Sequence, residues 1–200
     1  MTFDPTAYDA VVYDLDGTLV DLAVDWDAVA SDVVDVYTDH AIKPPAGDLW
    51  ELLDVADEYG LADAVEETIA AHERDGARRS TRLPLADRID RSRGEDSDAG
   101  GSPGADGGTD GPPVAVCSLN SEAACRIALE THDLDGGVDA VVGRDTVAAH
   151  KPDPEPLLAA IDALGVDPAR AVFLGDSESD AVTADRAGVP FLSVREALSG

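Results

Sequence analysis

The chain has 200 residues, of which 44% are hydrophobic, and it carries a formal net charge of −28 at pH 7. This length and apolar content exclude a globally disordered chain and predict one domain, or one domain with a small insert. The negative charge excludes nucleic acid and anionic membranes as expected partners, because both would be repelled.

The 42 acidic residues are spread along the whole chain, and among the 14 basic residues only Lys43 and Lys151 are lysines. This spread favours solubility in a cytoplasm of high salt over a single docking face for a basic partner. Cys117 and Cys125 match no zinc pattern or disulfide framework. The sequence has no apolar run of about 18 residues and no signal-peptide pattern. We therefore expect a cytoplasmic, halophilic protein, either a monomer or a homodimer.

The first predicted strand, Ala10–Tyr13, is an apolar run that ends at two carboxylates one residue apart, Asp14 and Asp16, followed by Gly17. In an open α/β sheet, ligands bind beyond the carboxyl ends of the strands. Two carboxylates this close repel each other unless a cation or a shared proton relieves the repulsion. Mg²⁺, held together with phosphate oxygens of a substrate, would relieve it.

Between residues 21 and 82, apolar residues recur at helical spacing and predict three amphipathic helices packed together. The first helix is expected to end before Pro44, the second near Gly60 and the third near Gly76. Residues 94–112 are rich in Gly, Asp, Ser and Pro and contain no large apolar side chain. Such a segment cannot repay its ordering entropy, and we predict a flexible insert there.

The remaining predicted strands, which alternate with helices, cover residues 114–117, 138–142, 171–174 and 190–194. This alternation predicts an α/β fold with a Rossmann-like parallel sheet and helices on both faces. Polar residues follow the strands at what would be one edge of the sheet. Ser121 is expected to cap the helix that follows residues 114–117.

Four short motifs in this order resemble those of the haloacid dehalogenase (HAD) superfamily of phosphohydrolases: Asp14-Leu15-Asp16-Gly17-Thr18-Leu19, Ser118, Lys151-Pro152, and Asp176 with Asp180. The likeness spans the predicted core and omits only the helical region and the insert. It implies a HAD-like core made of residues 1–20 and 83–200. It also implies that residues 21–82 form a small inserted helical cap of the C1 type.

The resemblance, together with the needs of phosphoryl transfer, implies roles for the aspartates. Asp14 would attack phosphorus and form an aspartyl-phosphate, and Asp16 would act first as general acid and then as general base. Mg²⁺ would be bound by Asp14, by the backbone carbonyl of Asp16 and by Asp176.

The remaining motif residues are expected to hold the phosphate group. Ser118 and Asn120 would contact it, helped by backbone N–H groups that open the following helix. Lys151 would hold the phosphate and Asp14 together. Asp180 would orient Lys151 or waters on the metal.

The resemblance leaves several reactions open. A phosphatase that acts on a small phosphorylated metabolite, similar to phosphoglycolate phosphatases, is the first expectation. A sugar phosphomutase shares all four motifs and differs in cap geometry. A non-catalytic binding or regulatory protein of the same fold is a third possibility. Asp16 argues against a dehalogenase of the founding type, and a phosphonate hydrolase would need a cap lysine, for which Lys43 is the only candidate.

Overall fold

The computed structural model describes residues 3–91 and 111–199, so residues 94–110 of the predicted insert lie outside the described residues. The strands in these ranges are β1 (Ala10–Tyr13), β2 (Val20–Asp21), β3 (Thr81–Arg82), β4 (Val114–Cys117), β5 (Ala140–Val142), β6 (Ala171–Gly175) and β7 (Phe191–Ser193). The α-helices are α1 (Trp26–Asp39), α2 (Leu49–Asp54), α3 (Ala62–Arg78), α4 (Asp87–Arg91), α5 (Glu122–Thr131), α6 (Glu155–Ala163), α7 (Glu178–Ala187) and α8 (Val194–Leu198). None of these helices combines the length and the apolar character needed to cross a membrane.

Five strands form one parallel sheet in the order β5-β4-β1-β6-β7. β1 lies at its centre, where Val12 pairs with Ala115 of β4 on one side and with Phe173 of β6 on the other. Because the strands all run the same way, their carboxyl ends lie along one edge. The predicted α/β, Rossmann-like parallel sheet is confirmed.

The central strands place alternate side chains in two separate apolar cores, one on each face of the sheet. Tyr13 packs in the core that contains Leu129 of α5, and Val12 packs in the core that contains Leu157 of α6. This alternation is the consequence of the two-residue side-chain period of a strand. Burying each large apolar side chain contributes about 1.5–3 kcal/mol, so β1 is fixed from both faces.

The helices α1, α2 and α3 enclose a third apolar cluster, to which they contribute Val33, Leu52 and Ile69 respectively. A short antiparallel pair, β2 with β3, lies where the chain enters and leaves this helical region. Further along α3, Ala77 belongs to the core on the α5 side of the sheet. Helix α3 therefore connects the helical region to the core of the sheet.

Two details differ from the sequence-based predictions. Helix α3 does not end at Gly76 but continues to Arg78. An added Cβ at Gly76 would lie 2.5 Å from Cγ2 of Val24, so close packing is the reason for glycine here, not helix termination. The pair of β2 with β3 was not predicted, because two-residue strands are too short to show a periodic pattern.

Candidate active site

Asp14 and Lys151 form a buried ion pair at the carboxyl end of β1. The backbone N–H of Asp14 donates to the carbonyl of Leu174, which continues the pairing with β6 and fixes the direction of the residue. Lys151 Nζ lies 2.7 Å from Asp14 Oδ1, and the two residues are 4% and 5% exposed. Burial raises the pKa of Asp14 to about 7, although the charge of Lys151 acts to lower it.

Asp180 lies on the other side of Lys151 and is held in place by the start of α7. Its Oδ1 accepts a hydrogen bond from Lys151 Nζ at 2.5 Å. Its Oδ2 accepts from the hydroxyl of Ser177 at 2.6 Å and from the Ser177 backbone N–H. Both oxygens of Asp180 are therefore engaged, and the residue ties Lys151 to α7. Burial alone would lower the pKa of Lys151, but Asp14 and Asp180 raise it overall.

Three carboxylates converge at this point and could hold a metal ion. Oxygen atoms of Asp14, Asp176 and Asp180 all lie within 4.8 Å of one another. When all three are ionised, the ammonium of Lys151 offsets only part of their charge. The pKa of Asp176 is raised, first by burial and then by the charge of Asp180. Carboxylate oxygens with an excess of negative charge suit a hard divalent cation such as Mg²⁺.

Asp16 lies beside this group, but its carboxylate points to a different partner. Its Oδ1 accepts a hydrogen bond from the backbone N–H of Leu22 at 2.8 Å. The side chain is half-buried, and burial raises its pKa to about 6. Gly17, which follows, has φ +79°, and an added Cβ would lie 2.2 Å from Oδ2 of Asp176. The turn can therefore bring the chain this close to Asp176 only because residue 17 is glycine.

Ser118 and Asn120 follow β4 and are both buried. The Ser118 hydroxyl donates to Asn120 Oδ1 at 3.0 Å, and it accepts from the Asn120 backbone N–H at 3.2 Å. The amide group of Asn120 then donates to Glu73 Oε1 at 3.3 Å. Ser118 and Asn120 are thus hydrogen-bonded to each other, and Asn120 is also bonded to Glu73, a residue of α3.

Glu73 and Arg144 were not found by sequence reasoning, although they form a second buried ion pair. Arg144 Nη1 lies 2.7 Å from Glu73 Oε1, and Arg144 also bonds Glu66 and the carbonyl of Leu119. Burial would lower the pKa of Arg144, but the hydrogen bonds and charges of Glu66 and Glu73 raise it overall. Arg144 follows β5 closely, so its position at the carboxyl edge of the sheet could have marked it as a candidate site residue from the sequence. Glu73 gave a weaker signal: it lies four residues after Ile69, on the buried face of α3, where a glutamate is unusual.

The first backbone N–H groups of α5 are already occupied, which corrects one expectation. The N–H of Ser121 donates to Glu73 Oε2 at 3.0 Å, and the N–H of Glu122 donates to Asp145 Oδ1 at 2.7 Å. The buried hydroxyl of Ser121 has no hydrogen-bond partner among the described residues and does not cap the helix. The predicted help of these N–H groups in phosphate binding is therefore wrong for Ser121 and Glu122, because carboxylates from distant segments hold them.

A cavity of about 420 Å³ opens above this edge of the sheet. Six of the seven predicted site residues line it, namely Asp14, Asp16, Ser118, Asn120, Lys151 and Asp176. Asp180, the seventh, is fully buried and contacts Lys151. The opposite wall comes from the helical region and contains Trp26, Asp48, Leu49 and Trp50. Residues from both ends of the sequence are thus brought together around one space. The sheet edge contributes three carboxylates and an ammonium, and the helical region contributes two indole rings and the carboxylate of Asp48.

Comparison with known proteins identifies the class to which this arrangement belongs. The family profile of haloacid dehalogenase-like hydrolases matches residues 109–194. A phosphoglycolate phosphatase of Cereibacter sphaeroides is 32% identical over 192 residues, which cover 90% of this chain and 82% of that protein. The chain therefore belongs to the haloacid dehalogenase-like hydrolases, as the motifs predicted. The relatives support a phosphatase as its class of enzyme.

Two further similarities concern part of the chain and its fold. A phosphoglycolate phosphatase of Rhodospirillum rubrum is 46% identical over 77 residues, which cover 38% of this chain but only 32% of that protein. A HAD-superfamily hydrolase of subfamily IA, variant 1, from Geobacter sulfurreducens shares the fold with a TM-score of 0.57 and 24% identity. That likeness covers 94% of this chain and 89% of the other.

Proposed function

We propose that this HAD-type phosphatase hydrolyses a small phosphate monoester, requires Mg²⁺ and works through an aspartyl-phosphate on Asp14. The observation that carries the proposal is the position of Asp14. It lines the cavity, 2.7 Å from the ammonium of Lys151 and within 4.8 Å of a carboxylate oxygen of Asp176, and Asp16 lines the same cavity. A nucleophile, a counter-charge and a proton donor are the groups that phosphoryl transfer requires.

Asp14 and Asp16 divide the chemistry between them. A carboxylate oxygen of Asp14 attacks phosphorus as the bond from phosphorus to the ester oxygen breaks, and Asp16 gives its proton to the departing oxygen. Water then attacks phosphorus, passes a proton to Asp16, and the bond between phosphorus and Asp14 breaks to release inorganic phosphate. The raised pKa of Asp16, about 6, suits a group that must be protonated in one step and ionised in the next.

Asp14 and Asp176 are the carboxylates that would hold Mg²⁺, with the backbone carbonyl of Asp16 as a further ligand. Bound there, the ion would offset the charge repulsion between Asp14 and the phosphate group. Asp180 is better suited to a positioning role, because Lys151 and Ser177 already occupy its two oxygens.

Lys151, Ser118 and Asn120 would bind the phosphate oxygens. Two of the three ammonium donors of Lys151 are used by Asp14 and Asp180, so one is left for the substrate. The Ser118 hydroxyl donates to Asn120 in this structure, and a phosphate oxygen would take over that hydrogen bond. We further propose that the enzyme acts in a cytoplasm of high salt, as the spread of acidic residues suggests.

The test is phosphate release from p-nitrophenyl phosphate and a panel of phosphorylated metabolites, measured in molar KCl with Mg²⁺ or with a chelator. Wild type is compared with Asp14→Asn and with Asp185→Asn, an exposed aspartate of α7 that serves as the control. We expect release that depends on Mg²⁺, is lost in Asp14→Asn and is unchanged in Asp185→Asn.

Three other outcomes would contradict part or all of the proposed function. Conversion of a sugar 1-phosphate to the 6-phosphate, without net phosphate release, would establish the phosphomutase instead. No reaction of the folded protein with any ester would contradict catalysis and favour a binding protein. Full activity of Asp14→Asn would remove Asp14 as the nucleophile.

A further inference from the structure

The wall of the cavity opposite Asp14 is aromatic and apolar. The indole rings of Trp26, at the start of α1, and Trp50, in α2, lie with their centroids 5.9 Å apart at an angle of 51°. Both residues are half-buried, and Leu49 of α2 adds an apolar side chain to the same wall. Flat apolar groups bind well to such a surface, because indole rings offer a large contact area and favour offset or tilted ring contacts.

The charge of the cavity is unfavourable for a second anion beyond the phosphate group. Among the described residues that line it, Lys151 is the only cation, and it is engaged by Asp14 and Asp180. The helical wall contributes a carboxylate, that of Asp48, whose Oδ1 also accepts from the backbone N–H groups of Trp50 and Glu51. A carboxylate on the leaving group would therefore meet indole rings and another carboxylate.

Arg144 is a further cation close to this wall, but all of its N–H donors are already used within the protein. Its guanidinium carbon lies 5.7 Å from the centroid of the Trp50 ring, and its side chain is 3% exposed. A guanidinium has five N–H donors. Arg144 makes five hydrogen bonds, which go to Glu66, Glu73 and the carbonyl of Leu119. It supports the wall from behind Trp50 and does not bind anions in the cavity.

We propose that the leaving group of the substrate is an uncharged alcohol with an aromatic or similarly flat apolar part, which packs against Trp26 and Trp50. The leaving group does not carry a carboxylate. This inference rests on the phosphatase function proposed above and names its substrate class. It separates the chain from the activity given to its relatives, because phosphoglycolate carries a carboxylate on the group that leaves.

The experiment compares three unactivated esters in molar KCl and Mg²⁺: benzyl phosphate, phosphoglycolamide and phosphoglycolate. The amide is the uncharged counterpart of the carboxylate and has nearly the same shape, so this pair isolates charge. We expect kcat/KM to be highest for benzyl phosphate and to be about tenfold or more lower for phosphoglycolate than for the amide. The proposal would be overturned if phosphoglycolate were instead the best substrate of the three.

Variants of the wall add an independent readout. Trp50→Leu should lower kcat/KM for benzyl phosphate about tenfold and leave that for phosphoglycolamide nearly unchanged. Trp26→Arg should improve the hydrolysis of phosphoglycolate relative to that of benzyl phosphate, because it supplies a cation. Tyr59→Leu, an exposed aromatic of the helical region that is not among the cavity-lining residues, is the control. An equal loss for all three esters in Trp50→Leu would contradict the proposal.

The two proposals fail in different ways. If p-nitrophenyl phosphate and all three esters are inert with the folded wild type, the phosphatase function fails and the substrate class fails with it. If phosphoglycolate is hydrolysed best, the phosphatase function stands and only the substrate class is overturned.

Discussion

Two buried cations lie near the cavity, and each is held by two carboxylates. Lys151 is 4% exposed and bonds Asp14 and Asp180, and Arg144 is 6% exposed and bonds Glu66 and Glu73. The two clusters look alike in charge and burial. They differ in how many of their hydrogen-bond donors are already used.

Lys151 lines the cavity and has one N–H donor that Asp14 and Asp180 do not use, whereas every N–H donor of Arg144 is hydrogen-bonded within the protein. The lysine cluster also has Asp176 close by, so its negative charge exceeds what one ammonium can offset. The arginine cluster joins α3 to the loop that carries Ser118 and Asn120, through Glu73. A buried cluster with unused donors and surplus charge is suited to a ligand, and a closed cluster is suited to holding segments together.

Lys151→Met gives the largest expected effect. It removes the charge that faces the phosphate, and we expect kcat/KM to fall by about 10²–10³-fold or more. Lys43→Met removes the only other lysine, which is exposed, and is the matched control with unchanged kinetics. The role in phosphate binding that distinguishes Lys151 from Arg144 would be contradicted if Lys151→Met remained folded and kept wild-type activity.

Arg144→Met tests the closed cluster, for which we expect loss of stability and not primarily loss of catalysis. Removing one partner leaves the carboxylate of Glu73 buried without its counter-charge, which costs about 3–5 kcal/mol of unfolding free energy. Arg126→Met removes the cation of an exposed ion pair with Glu122 and should cost less than about 1 kcal/mol. Urea unfolding at fixed KCl measures both.

A second substitution sharpens the result for Arg144. In Arg144→Met with Glu73→Gln, the uncompensated buried charge is gone, so the double variant should be less destabilised than the sum of its parts. Simple additivity of the two unfolding free energies would show that Glu73 and Arg144 are not coupled.

The two clusters also differ in how far the sequence predicted them. Asp14, Lys151 and Asp180 stand in short motifs after strands, and the parallel sheet brings such positions to one edge. Glu73 lies in a helical stripe far from Arg144 in sequence, and only the packing of α3 against the sheet edge pairs them. The sequence likewise predicted the strands and the helical region, but not the two-residue strands β2 and β3. The wall formed by Trp26 and Trp50 depends on how α1 and α2 pack, which periodicity does not determine.

Gly17→Ala tests the approach of the first motif to Asp176 and should have a smaller effect. The positive φ of residue 17 costs an alanine about 1–2 kcal/mol, and the added Cβ displaces the Asp176 carboxylate. Gly60→Ala is the control, because Gly60 has φ +69° but nothing within 4 Å of an added Cβ. We expect similar losses of unfolding free energy in both variants. Only Gly17→Ala should raise the Mg²⁺ concentration needed for half-maximal activity, by about tenfold, and equal Mg²⁺ requirements would contradict the role given to Asp176.

Added KCl should change the stability contributed by the charged surface much more than that contributed by the two buried clusters. The net charge of −28 makes exposed carboxylates repel one another, and added KCl screens that repulsion, so the Tm of wild type should rise from low to molar KCl. Buried pairs are screened much less, so the unfolding free energy lost in Arg144→Met should change little between about 0.5 and 3 M KCl. Thermal and urea unfolding across this range test both statements. A flat or falling Tm of wild type would contradict the halophilic assignment, and a loss in Arg144→Met that shrinks steeply with KCl would mean that its cluster behaves as an exposed one.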